Sequence, residues 1–239
     1  AVVSRWTTRF KRPLMAYAIV ELAVGLLGLV FHDAFVSTTA WAYDTVFPAL
    51  GGSPWLGVVK WSLAGALILP QSILLGATFP LMSAGLLRLN TKAPGRVLAQ
   101  LYFANSLGAA VGALICSFVT IAMSGLPGTV LVAAIINLLV AAATVVLRLP
   151  PSATRADVQA VPAPVEATRD PKLMRLLLAV SAGTAVASFV YEIDWIRMLA
   201  LVLGSATHSF DLMLSAFILG LALGAWWTRG RADRFAGQT

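Results

Sequence analysis

Six apolar stretches, each long enough to cross a lipid bilayer, occupy most of this chain between residues 13 and 228. A helix of about 20 apolar residues spans the roughly 30 Å hydrocarbon core and satisfies its own backbone polar groups there. The sequence therefore predicts an all-α, multi-pass helical membrane protein with about six transmembrane helices. Their expected bounds are 13–31, 55–87, 98–123, 127–147, 173 to about 191–203, and 209–228.

Basic residues are confined to alternate connecting segments. Of the 17 Lys and Arg residues, only Lys60 and Arg197 lie outside those segments. The segments are residues 1–12, 88–96, 148–175 and 229–234. Because cytoplasmic loops carry the excess of Lys and Arg in membrane proteins, both termini are predicted to be cytoplasmic. The expected location is the inner membrane of a bacterial cell.

The composition excludes a soluble domain and indicates the bilayer as the partner. Hydrophobic residues make up 59% of the chain and charged residues 11%, whereas soluble domains carry about a quarter charged residues. The net charge of +7 lies mostly in loops beside the predicted spans, where anionic lipid head groups attract it. No nucleic-acid partner is expected.

Residues 148–172 separate two predicted membrane repeats. This segment, RLPPSATRADVQAVPAPVEATRDPK, contains five prolines and scattered charges, so it is expected to be a cytoplasmic linker. It divides residues 1–147, the four-helix part of a first repeat, from residues 173–239, the first helix pair of a second. The likeness between RWTTRFKRP near the start and WWTRGRADRF near the end suggests a window of a longer protein with two similar halves.

One ionisable residue lies inside the first predicted span. An ionisable group within a membrane helix is costly and is a functional candidate by default. Glu21 lies about two turns into this span. It is expected either to pair with a cation or backbone donors of a neighbouring helix, or to remain protonated. A purely structural hydrogen bond between helices is the alternative.

A second group of charged residues lies in the run YEIDWIR at residues 191–197. Asp194 and Arg197, three residues apart on a helix, are spaced to form an ion pair. Tyr191 and Trp195, four residues apart, are predicted to form an aromatic pair near the membrane surface. With Glu192, these residues form either a structural anchor or a ligand or ion site.

Acidic residues accumulate in the segments predicted to face away from the cytoplasm. They are Asp33, Asp44, Glu192, Asp194 and Asp211, with His208 beside them. Such a surface favours cations, including polycations. The alternative is that the positive-inside rule leaves these segments acidic without any function. His208 is expected to be a lone, solvated imidazole.

Small and amide residues within the spans are predicted to pack helices together. They are Asn105, Gly108, Gly112, Asn137, Gly220 and Gly224. Glycines four residues apart let two helices approach closely, and amides hydrogen-bond between helices. The sequence contains no metal-ligand spacing, phosphate loop or nucleophile elbow. No catalytic residue, metal or cofactor is therefore predicted.

Three runs carry a resemblance to a known family. The runs are YEIDWIRMLALVLGSATHSFDLMLSAFILGLALGAWW (191–227), LPQSILLGATFPLM (69–82) and GRVLAQLYFANSLGAAVGALICSFV (95–119). They resemble the membrane region of bacterial fused spermidine synthase-like proteins, which join a multi-pass, transporter-like region to an aminopropyltransferase-type domain. Glu21 in AYAIVELAVGLLGL is similar to a glutamate of the family's third helix, while Ser106 replaces an expected threonine.

This resemblance implies a six-helix half and the beginning of another. It places the Rossmann-like domain, which binds a decarboxylated S-adenosylmethionine donor, elsewhere, so no enzymatic activity is assigned to residues of this chain. The implied function is a membrane anchor and a path for polyamine-like cations, with Glu21, Glu192, Asp194 and Arg197 as substrate or ion candidates. The alternatives are an accessory structural subunit of a larger membrane complex and a stand-alone major-facilitator-type transporter.

Overall fold

Every regular element in the described part of the chain is a helix. The computed structural model describes residues 12–89, 93–147 and 171–230. The helices are α1 Pro13–Trp41, α2 Phe47–Ala49, α3 Trp55–Leu89, α4 Pro94–Ile115, α5 Ile121–Val146, α6 Pro171–Leu203 and α7 Ala206–Thr228. Two π-helical turns, Ala42–Val46 and Cys116–Thr120, connect α1 to α2 and α4 to α5. The predicted all-α class is confirmed for these residues.

Four helical stretches among the described residues are long and apolar enough to cross a membrane. They are Pro13–Ala49, Trp55–Leu89, Pro94–Val146 and Ala206–Thr228. The stretch Pro94–Val146 contains both the third and the fourth predicted spans. The chain is thus a helical protein suited to a membrane, while six separate spans and the cytoplasmic position of the termini stay predictions.

Residues 32–54, the segment between the first two predicted spans, are mostly helical. Helix α1 continues to Trp41 and, at 29 residues, is about 44 Å long. No glycine or proline interrupts the sequence between Gly28 and Pro48, so nothing ends the helix there. The Ser37 and Thr39 hydroxyls instead donate hydrogen bonds to backbone carbonyls one turn earlier in the same helix. The Ser37 hydroxyl donates to the Asp33 carbonyl at 2.6 Å.

Lys60 of α3 lies against the aromatic ring of Phe47, the first residue of α2. Its ammonium is 5.1 Å from the centroid of the Phe47 ring, and Tyr43 meets that ring edge-on at 5.0 Å. A cation over an aromatic face is stabilised by the ring quadrupole. This contact explains how one of the two isolated basic residues is accommodated.

A glycine breaks the helix between the third and fourth predicted spans. Gly125 has φ 65° and ψ −173° within the otherwise helical residues of α5, and Pro127 follows. Only glycine adopts this combination of angles without strain. The third and fourth predicted spans are therefore separated by a kink at Gly125 inside a long helical stretch.

Replacing Gly125 with alanine is expected to lower the free energy of unfolding by about 1–3 kcal/mol, since a Cβ is strained at this φ and ψ. The midpoint of thermal unfolding in one fixed detergent measures the change. Gly183→Ala in α6 is the matched control, because a Cβ there meets no described atom within 4 Å. Equal midpoints for the two variants would contradict the strain argument.

The described contacts divide the chain into two compact units. The first unit comprises residues 1–89 and 124–152, and the second comprises residues 90–123 and 153–239. Helix α4 thus groups with α6 and α7, although the predicted first repeat, residues 1–147, includes it. Nearly all of the predicted linker, and most of the similar terminal segments, lie outside the described residues.

Glycines of α1 and α3 hold the first unit together. A Cβ built on Gly28 would lie 2.9 Å from the Ala134 Cβ, and one on Gly25 would lie 2.7 Å from Leu138 Cδ2. A Cβ on Gly85 would overlap the Leu14 side chain. Helix association in membranes depends on van der Waals packing, so small residues at such contacts let the backbones approach.

Helices α4 and α7 of the second unit pack together, and α6 packs on α7. The buried positions of α4 and the following π turn are Ser106, Ala110 and Ser117; those of α7 are Ser209, Met213, Ser215 and Ala222. The predicted packing glycines lie elsewhere: a Cβ on Gly108, Gly112, Gly220 or Gly224 meets no described atom within 4 Å. Gly108 follows Ser106 by two residues, which is about 200° around a helix.

The two predicted amide residues take part in no hydrogen bond between described residues. Asn105 is exposed on α4 and Asn137 is half-buried on α5. The role of these amides in joining helices stays a prediction. The same holds for the four glycines whose Cβ would meet no described atom.

Candidate functional site

The four predicted substrate or ion residues belong to different units. Glu21 lies in the first unit, whereas Glu192, Asp194 and Arg197 lie in the second. Each group is therefore described within its own unit.

Glu21 is buried in α1 with 6% of its surface exposed. Its carboxyl group is hydrogen-bonded to the half-buried Tyr17, which precedes it by one helical turn. Residues four apart on a helix face the same side and meet readily. This partner is a phenol of the same helix, whereas the sequence predicted either a cation or backbone donors of a neighbouring helix, or a carboxyl group that stays protonated.

The aromatic pair predicted at residues 191–197 is confirmed. The Tyr191 and Trp195 rings stack with centroids 5.8 Å apart and planes inclined by 29°. Glu192 is half-buried, and Asp194 and Arg197 are exposed on α6. No ion pair joins Asp194 to Arg197 in the described structure, although their spacing would allow one.

An apolar groove of about 780 Å³ lies between α6 and α7. Its lining on α6 includes Trp195, Met198 and Leu199, and its lining on α7 includes Met213 and Phe217. None of the described residues that line the groove is ionisable, so the groove is suited to binding an apolar group.

A polar group of three residues joins the two closely packed helices of the second unit. The Ser117 hydroxyl donates a hydrogen bond to Asp211 Oδ2. The same hydroxyl oxygen lies 3.4 Å from His208 Nδ1. The His208 ring stacks on Phe118, with centroids 5.1 Å apart and planes inclined by 20°. We call Ser117, His208 and Asp211 the Ser117 cluster.

Local backbone features position the Ser117 cluster. Ser117 lies in the π turn Cys116–Thr120, and single π turns within α-helices occur frequently at functional sites. His208 and Asp211 are three residues apart in the first turns of α7, so they share a helix face. Gly204, with φ 68°, forms the short connection before α7. The Ser205 side chain then caps the helix by accepting from the His208 N–H.

Exposure differs across the Ser117 cluster. Ser117 has 7% of its surface exposed, Asp211 is half-buried and His208 is exposed. An interior serine hydroxyl therefore connects a more accessible imidazole to a carboxylate. A hydrogen bond to a charged group contributes about 1.5–3 kcal/mol, so this contact also stabilises the packing of the two helices.

The geometry of the Ser117 cluster differs from that of a serine hydrolase. In a catalytic triad the imidazole takes the serine proton, and the acid holds the imidazole. Here the serine directs its proton to Asp211, and no hydrogen bond joins His208 to Asp211. Within the described ranges, no group of three His, Cys, Asp or Glu residues is placed to hold a metal ion. A carboxylate held by a hydroxyl is instead suited to a cation or a proton.

Ser117 was not among the residues predicted from the sequence, and the prediction that His208 is a lone imidazole is wrong. His208 lies in the first turn of α7 and contacts Phe118 and Ser117, so it is not a lone imidazole in a loop. Ser117 is 91 residues from His208 and 94 from Asp211, and local spacing carries no information over such separations. The one indication was the shared face: Ser106, Ala110 and Ser117 recur at helical spacing.

Comparison with protein-family models, curated proteins and solved structures finds no match to this chain.

Proposed function

We propose that this chain is the membrane-spanning region of a spermidine synthase-like protein in a bacterial inner membrane. Its role is to anchor that protein and to provide a path for polyamine-like cations. The proposed topology has six spans with both termini in the cytoplasm. The apolar helices and the confinement of Lys and Arg to alternate connecting segments support this topology, and the sequence resemblance supports the substrate class.

The Ser117 cluster is the observation that carries the proposed cation path. Ionisable residues in membrane helices are costly and mark substrate, ion or proton pathways. Asp211 is half-buried and is held by a serine of another helix, so its carboxylate is fixed in position. In the proposed topology this end of α7 faces away from the cytoplasm, on the side where the other acidic residues accumulate. Their summed field attracts polycations.

Uptake of radiolabelled spermidine tests the proposal. The intact protein, purified from its native membrane and reconstituted into liposomes, is expected to accumulate spermidine to a saturable level above that of empty liposomes. Its intact mass is expected to exceed the 25.2 kDa of this chain, because a soluble domain belongs to the proposed protein. Uptake equal to that of empty liposomes would contradict the cation path. Uptake by a protein of 25.2 kDa would instead indicate a stand-alone transporter.

An accessory subunit is the second candidate, and the open glycine faces favour it. A Cβ on Gly108 or Gly112 of α4, or on Gly220 or Gly224 of α7, meets no described atom within 4 Å. Glycines four residues apart on such faces suit the close approach of another helix. Under this alternative the chain co-purifies with a partner at a fixed ratio. The double variant Gly108→Leu, Gly112→Leu then loses the partner while keeping its helical content. Purification of the chain without any partner would contradict it.

A further inference from the structure

We propose that the Ser117 cluster is a proton relay, in which the Ser117 hydroxyl transfers protons between the His208 imidazole and the Asp211 carboxylate. The ligand of this site is thus the proton. The inference rests on the proposed function for its role in cation movement, since a proton and a cation would share one carboxylate. The existence of the relay does not depend on the proposed function, because the geometry of the three residues supports it directly.

The Ser117 hydroxyl is placed to link the other two groups. It donates to Asp211 Oδ2, and its oxygen lies 3.4 Å from His208 Nδ1. A hydroxyl donates one hydrogen bond and accepts up to two. When Nδ1 carries a proton, the three groups form a continuous chain from N–H through O–H to the carboxylate. Such a chain is the arrangement that proton transfer requires.

The exposure of the three residues differs along the relay. His208 is exposed, so it is the member of the Ser117 cluster that the surroundings can reach. Ser117 has 7% of its surface exposed, which keeps competing water from most of its hydroxyl. Asp211 is half-buried on the far side of the hydroxyl. His208 is therefore the accessible end of the relay, and Asp211 is the less accessible end.

The transfer step balances without any further reactant. The Nδ1–H bond of the His208 imidazolium breaks as its proton passes to Ser117 Oγ. At the same time the original hydroxyl proton passes from Oγ to Asp211 Oδ2. The products are a neutral imidazole, an unchanged serine and a neutral carboxylic acid. Two charged groups thus become neutral, and a neutral carboxylic acid costs less to keep half-buried than a carboxylate does.

Other ionisable groups of the packed elements do not join the relay. Cys116 on the π turn, and Glu192, Asp194 and Arg197 on α6, form no hydrogen bond or ion pair with the three residues in the described structure. Arg96 and Tyr102 precede Ser117 by 21 and 15 residues, or roughly 32 and 22 Å along the helix. Within α7, the Ser209 hydroxyl donates to the Ser205 carbonyl at 2.6 Å. The Ser215 hydroxyl donates to the Asp211 carbonyl at 2.7 Å.

A proton-jump experiment on the intact protein in nanodiscs tests the relay. Light releases protons from a caged acid, and time-resolved infrared spectroscopy follows the carboxylic acid C=O band. This band is assigned to Asp211 by its loss in Asp211→Asn. We expect Ser117→Ala and His208→Phe to slow its appearance about tenfold or more, since a positioned proton donor contributes at least that factor. The phenylalanine at 208 retains a ring against Phe118.

Two further variants keep the test decisive. Ser117→Thr retains a hydroxyl, so we expect it to restore the wild-type rate. Ser37→Ala is the matched control, because the Ser37 hydroxyl bonds only backbone carbonyls of its own helix. Absence of any band assigned to Asp211, or an unchanged rate in Ser117→Ala, would overturn the relay. The measurement uses no spermidine. Loss of the proposed transport with an intact proton response would therefore refute the proposed function alone.

Discussion

Replacing Gly28 with leucine is expected to lower the free energy of unfolding by about 1–3 kcal/mol, the range found for overpacked interiors. A Cβ at Gly28 would lie 2.9 Å from the Ala134 Cβ. Ala134 has 1% of its surface exposed, and its Cβ is fixed to the backbone, so no rotamer change relieves the overlap. Helices α1 and α5 must move apart within the first unit. The midpoint of thermal unfolding in a fixed detergent measures this loss.

Gly76→Leu in α3 is the matched control for this prediction. A Cβ at Gly76 meets no described atom within 4 Å, and leucine favours a helix over glycine by up to about 1 kcal/mol. We therefore expect Gly76→Leu to unfold at the same temperature as the wild type or slightly higher. If both leucine variants lost stability equally, the close contact between Gly28 and Ala134 would not be a stabilising feature of the first unit.

Replacing Asp211 with asparagine is expected to reduce spermidine uptake by about tenfold or more. The change removes one negative charge and keeps an oxygen that accepts the Ser117 hydrogen bond, so the packing of α4 on α7 is retained. A charge-assisted hydrogen bond contributes about 1.5–3 kcal/mol, and each 1.4 kcal/mol is about a factor of ten in binding. Initial rates of radiolabelled uptake into liposomes measure the effect, together with circular dichroism as a check on the fold.

Asp33→Asn is the control for uptake. Asp33 is exposed on α1, and its backbone carbonyl, which the substitution leaves in place, accepts the Ser37 hydroxyl. Asp211→Asn and Asp33→Asn each remove one negative charge, but only Asp211→Asn changes the Ser117 cluster. Equal uptake by Asp211→Asn and Asp33→Asn would show that the carboxylate of the Ser117 cluster is not part of the cation path.

Contacts within one helix were the part of the site that sequence could predict. The pairing of Tyr191 with Trp195 follows from their separation of four residues, and the structure confirms it. The same spacing joins Tyr17 to Glu21, although sequence analysis looked for the partner of Glu21 on another helix. Such pairs are predictable because the helix itself brings their side chains together.

Contacts between helices could not be predicted in the same way. Glycine pairs at 108 and 112 and at 220 and 224 matched the expected packing motif, yet a Cβ on any of them meets no described atom within 4 Å. The close approach instead involves Gly28 against Ala134. Many faces of a membrane helix carry small residues, so their spacing does not specify which face meets a neighbour.

The sequence by itself determined the helical, membrane-type character of this protein, because long apolar runs leave the backbone no other way to satisfy its polar groups in lipid. Only the tertiary structure decided which residues form the Ser117 cluster. Ser117 and Asp211 are 94 residues apart, on separate elements, and the packing of α4 on α7 buries Ser106 and Ala110 together with Ser117 of the following π turn. The orientation of each helix about its axis comes from the packing of all its neighbours, and that packing is a property of the whole unit.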